Sequence, residues 1–204
     1  MSKGEETKNL ILGYARSEFM EKGYKDASVR NIAKNMGLTT GAIFRYYPDK
    51  ESLFTAIVDD AAQTLYEIYR QTQRGFGNFS PEKRNDLVQA DSAAYLLQML
   101  DFIYENYDAF KLIICHSEGT GYSDYIDRLV DVASENTQMF IEVLRKDGFK
   151  VKDISPNLIH IIYSANFTAV FEVVVHDMPK DEAIAYVSSL FEFFNSGWKT
   201  LLQI

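Results

Sequence analysis

One run of 23 residues constrains this chain more than any other: Ser28 to Lys50, SVRNIAKNMGLTTGAIFRYYPDK. Within it Val29, Ile32, Ala33 and Met36 recur at i, i+3, i+4 and i+7, the spacing that draws one apolar stripe along a short helix. Ser28 stands where an N-cap oxygen accepts an orphan N–H of the first turn. Gly37 follows the last apolar residue, where the left-handed backbone costs least without a Cβ. Leu38 is then expected to turn inward and Thr39 to cap a second helix about three residues on, the connection of a helix-turn-helix. On that helix Thr39, Ile43 and Tyr47 share one side, while Gly41, Ala42, Phe44 and Arg45 face the other. Small groups on an outer face allow close approach, and the second helix of this motif is the one that enters a major groove. Pro48 stops it, and Asp49 is placed to cap a further helix starting near Lys50.

The flanks extend the pattern. ILGYARSEFMEKGY precedes the motif and TTGAIFRYYPDKESLF runs through and past it, so that from about Lys8 to Phe54 the chain resembles the N-terminal DNA-binding domain of the tetracycline repressor (TetR) family. The resemblance covers roughly the first quarter of the chain. It implies a ligand-responsive transcriptional regulator, a repressor that binds a palindromic operator as a homodimer and is released by a small molecule. A helical sensor acting through protein partners, or a transcriptional activator, are the alternatives. Where the family usually has a tyrosine whose hydroxyl reaches a phosphate, this chain has Phe44, which leaves only an apolar contact there. For DNA, Arg30 is a candidate for phosphate or guanine, and Thr39 and Lys50 for phosphates at helix N-termini. Thr40, Gly41, Ala42, Arg45 and Tyr46 are placed for base edges, with Arg45 suited to guanine and Ala42 to a thymine methyl.

Charge supports the same orientation. The chain carries −8 overall, yet residues 1–50 hold nine Lys or Arg against six Asp or Glu, and the remaining 154 hold twelve against twenty-three. A basic head on an acidic body approaches phosphate head first. The single cysteine, Cys115, excludes an internal disulfide framework and fits a reducing, cytoplasmic location. No signal-peptide pattern stands at the N-terminus. Leu158 to Val175 is apolar over 18 residues but contains His160, Asn166 and Glu172, which favours a buried or interface helix over a membrane span.

The expected fold is all-α, about nine helices in two domains: residues 1–50, a three-helix helix-turn-helix domain, and 51–204, a helical ligand-binding and dimerisation domain. Helix one is expected over Thr7–Lys22 with Gly23 as its stop, after a frayed Met1–Glu6. Helix four is expected over Lys50–Gln73 as a lever between the domains, followed by a loop at Arg74–Ser80. The rest follow over Pro81–Glu105 behind the cap Ser80-Pro81, Asp108–Cys115, Asp124–Lys146, Pro156–His176 behind Ser155, and Asp181–Leu201. The last two are apolar on more than one face, which a second copy of the same pair would cover.

Between the middle helices, aromatic and sulfur side chains with scattered polar groups suggest a small-molecule site: Tyr95, Met99, Asp101, Phe102, Tyr104, His116, Tyr163, Asn166 and Phe167. Asp101, in an otherwise apolar helix, is the candidate anchor for a cationic ligand. No cofactor or metal is expected, since His116, His160 and His176 have no metal-ligand spacing. Cys115-His116, being sequence neighbours, are no evidence of a nucleophile and base, so catalysis is not expected. Cys115, on an apolar helix, reads as a small hydrophobe.

Overall fold

In a computed structural model, residues 3–75 and 84–203 are described. These residues are all-α, with nine helices and no strand: α1 Lys3–Asp26, α2 Val29–Asn35, α3 Thr40–Phe44, α4 Lys50–Gly75, α5 Arg84–Glu105, α6 Tyr107–Cys115, α7 Tyr125–Lys146, α8 Pro156–Val175 and α9 Lys180–Leu202. The expected cap at Ser80-Pro81 lies outside the described residues. Several ends differ from the sequence expectation. α1 begins at Lys3, so the stretch expected to fray is helical from there on. α4 runs on through Arg74 and Gly75, and α3 leaves the α-helical ladder at Phe44, with Tyr46 and Tyr47 turning over Ile43 O.

Backbone packing divides the chain into two units, 1–64 with 106–125 and 65–105 with 126–204. The division falls inside α4, whereas the expected functional boundary at residue 50 falls at its start. It also assigns α6 and the loop after it to the unit that holds the helix-turn-helix.

The first unit is built on the inward stripes of α1 to α4. Ile11, Ala15 and Phe19 of α1, Ile32 of α2, Ile43 of α3 and Leu53, Phe54 and Val58 of α4 are fully buried. Each such aliphatic or aromatic burial contributes about 1.5–3 kcal/mol. Phe54 sits edge-on to Phe19 and to Tyr24, with ring centroids 5.2 and 5.3 Å apart. α6 adds Phe110, Leu112 and Ile113, the following loop adds Tyr122 and the start of α7 adds Tyr125, the two hydroxyls donating to Asp59 Oδ1 and to the Ala62 carbonyl.

The second unit holds α5, α7, α8, α9 and the later part of α4. Ile141, Ile154, Ile159 and Leu202 form a buried cluster against Val151, Tyr163, Trp198 and Leu201. Ser155 caps α8 as expected, its oxygen accepting from Leu158 N. Beyond the end of α8, Asp177 takes the left-handed region (φ 50°), and Met178 N reaches back to the Val173 carbonyl.

The turn between α2 and α3 is closed in the way the glycine predicts. Gly37 takes φ 66°, its N–H bonds the Lys34 carbonyl, and Leu38 N bonds the Ala33 carbonyl, the paired bonds of a Schellman ending. Leu38 does not turn inward; it is 40% exposed. Open space surrounds a Cβ built on Gly37 or on Gly13 within α1, so backbone conformation alone decides the two substitutions. Gly37→Ala is expected to lower unfolding free energy by about 1 kcal/mol. Gly13→Ala should raise it by up to about 1 kcal/mol, both read from urea unfolding.

Candidate nucleic-acid interface

The candidate surface is assembled by caps and one buried carboxylate. α1 is kinked at Gly23, which adopts φ 72° and ψ 162°, outside the helical region, and lets Tyr24 turn back into the unit's core before the last turn of the helix. Six residues later α2 starts at Val29, with Ser28 before it in extended backbone, but the Ser28 hydroxyl makes no capping bond. The expected cap is replaced from a distance. Glu18 of α1, only 7% exposed, presents Oε1 to Ser28 N at 3.1 Å and to Asn31 Nδ2 at 3.2 Å. A carboxylate at a helix start also meets the positive end of the helix dipole.

α3 is capped as the sequence predicts, Thr39 Oγ1 accepting from Ala42 N at 3.2 Å. Ile43 then plugs the core, and its burial fixes the rotation of this five-residue helix. Gly41, Phe44 and Arg45 are thereby left exposed, Thr40, Ala42 and Tyr46 half-buried, and Phe44 projects with 43% of its surface open. Arg30 is exposed on α2. Burial of the Tyr47 ring raises its hydroxyl pKa above the ordinary value, so it stays protonated.

α4 opens on a reciprocal cap: Asp49 Oδ1 accepts from Ser52 N, and Asp49 N donates to Ser52 Oγ. These bonds hold the Asp49 carboxyl below its usual pKa. Lys50, expected to face a phosphate, has its ammonium among the carbonyls of Tyr24, Lys25 and Ala27 at 2.7, 3.1 and 3.2 Å. It also lies 4.5 Å from the centre of the Tyr24 ring.

The candidate ligand residues are divided between the two units. His116 belongs to the first unit, where its carbonyl accepts from Tyr24 N at 2.9 Å. Burial first, and the nearby Lys111 cation second, push the His116 imidazole below its ordinary pKa of 6.5. Asp101 is not buried as expected: its side chain is 54% exposed and paired with Lys180 at 2.9 Å, and Tyr95 is 41% exposed. A carboxylate at the surface has water to solvate it and needs no ligand. Tyr104 donates to the Met178 carbonyl, and Met99 and Phe102 lie buried and half-buried. Tyr163 pairs with Thr137 Oγ1 at 2.7 Å, and Phe167 packs edge-on to Tyr69, with Asn166 half-buried between them in sequence. Cys115 is exposed rather than buried among apolar groups. Among the described residues no cluster of three metal-ligating side chains occurs.

Two residues that matter here escaped the sequence reading, Glu18 and Tyr24. Glu18 stands at i+7 from Ile11, on the apolar stripe of α1, and a carboxylate in such a stripe signals a buried partner. Glu18→Met should cost about 1–3 kcal/mol of stability because it strands the Ser28 N–H. Ser28→Ala should change stability by less than about 0.5 kcal/mol. Thermal unfolding of the two variants separates remote from local capping. A second expectation concerns pH. With the folded pKa of His116 depressed, the unfolded chain binds more protons below about 6.5, so stability falls as pH drops through that range. Replacing His116 with Gln should flatten the melting temperature between about pH 7.5 and 5.5.

Comparison with known proteins agrees with this geometry. The family model described as "Bacterial regulatory proteins, tetR family" matches residues 11–57. The HTH-type transcriptional repressor AcnR of Corynebacterium diphtheriae is 41% identical over 58 residues, 28% of this chain and 30% of that protein. The HTH-type transcriptional repressor BepR of Brucella suis is 31% identical over 141 residues, 69% of this chain and 65% of that protein. The chain thus spans about a third to two thirds of the length of these curated relatives. Among solved structures, the TetR family regulator PfmR of Thermus thermophilus superposes with a TM-score of 0.57 at 19% identity, over 89% of this chain and 97% of that one. Residues 11–57 thus match the DNA-binding domain of the TetR family, and the helices that follow share the fold of solved members of that family.

Proposed function

We propose that this chain is a ligand-responsive transcriptional regulator without catalytic activity, a cytoplasmic repressor that binds a palindromic operator as a homodimer and leaves it when a small molecule binds. The observation that carries the reading is α3: Thr39 caps it and Ile43 anchors it, so Thr40, Gly41, Ala42, Phe44, Arg45 and Tyr46 form a projecting surface. Arg45 pairs with guanine in the major groove, Ala42 meets a thymine methyl, and Phe44 makes an apolar contact in place of a phosphate bond. Arg30 and the Thr39 end of α3 set register on the backbone.

The dimer is supported by α8 and α9, where Leu158, Ile161, Val175, Ile184 and Phe193 are 37–72% exposed. α8 is long and apolar enough to cross a membrane, but only 28% of its most apolar window is buried within this chain. The same helices of a second copy would cover that surface and present two recognition helices. Their separation must match about 34–36 Å or its multiples for both to enter one face of the duplex. An effector seated in the second unit against Tyr163, Asn166 and Phe167 acts through α4, whose two halves belong to different units. Its leverage is its differential affinity for the two states, typically about 1–3 kcal/mol.

The test is a titration of the protein against fragments of its own upstream genomic DNA at two salt concentrations, with random duplex as competitor. Selective binding of a palindromic fragment by two protomers, steeply weakened by salt, is expected. Binding to no duplex at any salt would favour a sensor acting through protein partners. On the selected fragment Arg45→Ala should cost about 1–3 kcal/mol, with little change on random DNA.

A further inference from the structure

From the placement of the Lys50 ammonium we infer that Lys50 is a positioning residue of the helix-turn-helix, holding the end of α1 against the start of α4, rather than a phosphate ligand. The inference rests on the DNA-binding reading above and assigns Lys50 a different role from the one its position suggests. A lysine at the first position of a helix is set against the dipole, whose positive end lies there. Its side chain turns away from that end and reaches the C-terminal turn of α1, where carbonyls lack helical partners and the dipole is negative.

The match is complete in number. An ammonium has three N–H donors, and three acceptors surround this one, the carbonyls of Tyr24, Lys25 and Ala27. The Tyr24 ring takes up a further side of the cation at 4.5 Å. Tyr24 in turn is fixed by Phe19 and Phe54 through its ring and by the His116 carbonyl through its N–H. Ala27 immediately precedes Ser28, the N-cap of α2, so the clamp sets where α2 starts and through it where α3 lies. A phosphate could take this ammonium only by displacing bonds that close the α1 to α2 connection.

The experiment measures binding to a random-sequence duplex of about 30 base pairs as a function of salt, well below the melting temperature, for wild type, Lys50→Met and Lys50→Arg. A phosphate ligand contributes about 0.9 to the log-log salt slope, and arginine replaces lysine there without loss. A three-carbonyl clamp contributes nothing to the slope, and a planar guanidinium has no nitrogen that offers three N–H donors. The expected result is binding weaker by about tenfold in both folded variants with the slope unchanged. A slope lower by about 0.9 in Lys50→Met together with wild-type affinity in Lys50→Arg overturns the inference. So does unchanged affinity alongside a lowered melting temperature, which would make the clamp structural only. Should Lys50→Met fail to fold, Lys50→Arg decides alone: weakened binding at an unchanged slope supports the clamp, and wild-type binding overturns it. A flat salt response in the wild type would instead remove the DNA-binding reading, while the melting temperatures still test the clamp.

Discussion

The helix-turn-helix of this chain depends on how α1 ends. A helix leaves its last carbonyls without partners, and here they lie beside a segment that must begin another helix within three residues of Asp26. Gly23 supplies the backbone reversal, Lys50 takes the carbonyls of Tyr24, Lys25 and Ala27, and Glu18 takes the first N–H of the next element. Two opposite charges from different helices thus complete two helix ends. Each acts where the local dipole favours its sign.

That closure gives α3 its definition. Five residues are too few to hold a helix by propensity, since nucleation costs more than so short a ladder returns. α3 stands because Thr39 caps it, the Gly37 turn sets its entry and Ile43 is driven into the core. The same burial that fixes its rotation leaves Phe44 and Arg45 outside. The stability of α3 and the orientation of its projecting surface therefore come from one set of contacts.

The second unit follows a different logic. Its α8 carries Ile161 at 62% exposure and its α9 carries Phe193 at 72%, so its apolar surface exceeds what this chain covers. Isolated exposed apolar groups are ordinary, but several on two packed helices amount to a surface that a partner would cover. The polar groups in this unit are mostly matched internally, Tyr104 with the Met178 carbonyl and Tyr163 with Thr137. An effector there would have to exchange those bonds, which limits what it can gain.

The sequence by itself determined whatever depends on neighbours in the chain. Helical periodicity and terminal signals located all nine helices, serine and threonine marked the caps at Thr39 and Ser155, and Gly23 and Gly37 marked reversals that only a residue without a Cβ makes cheaply. The outward face of α3 was legible because Ile43 is its one large aliphatic residue. Tertiary structure decided what depends on residues far apart: that Glu18 and not Ser28 caps α2, that Lys50 faces carbonyls, that α6 packs with α1, and that Asp101 meets Lys180 at the surface. Local patterns carry the torsional and periodic terms of the energy. The burial of a charge, and the partner that offsets it, are set by packing between helices that no spacing along the chain encodes.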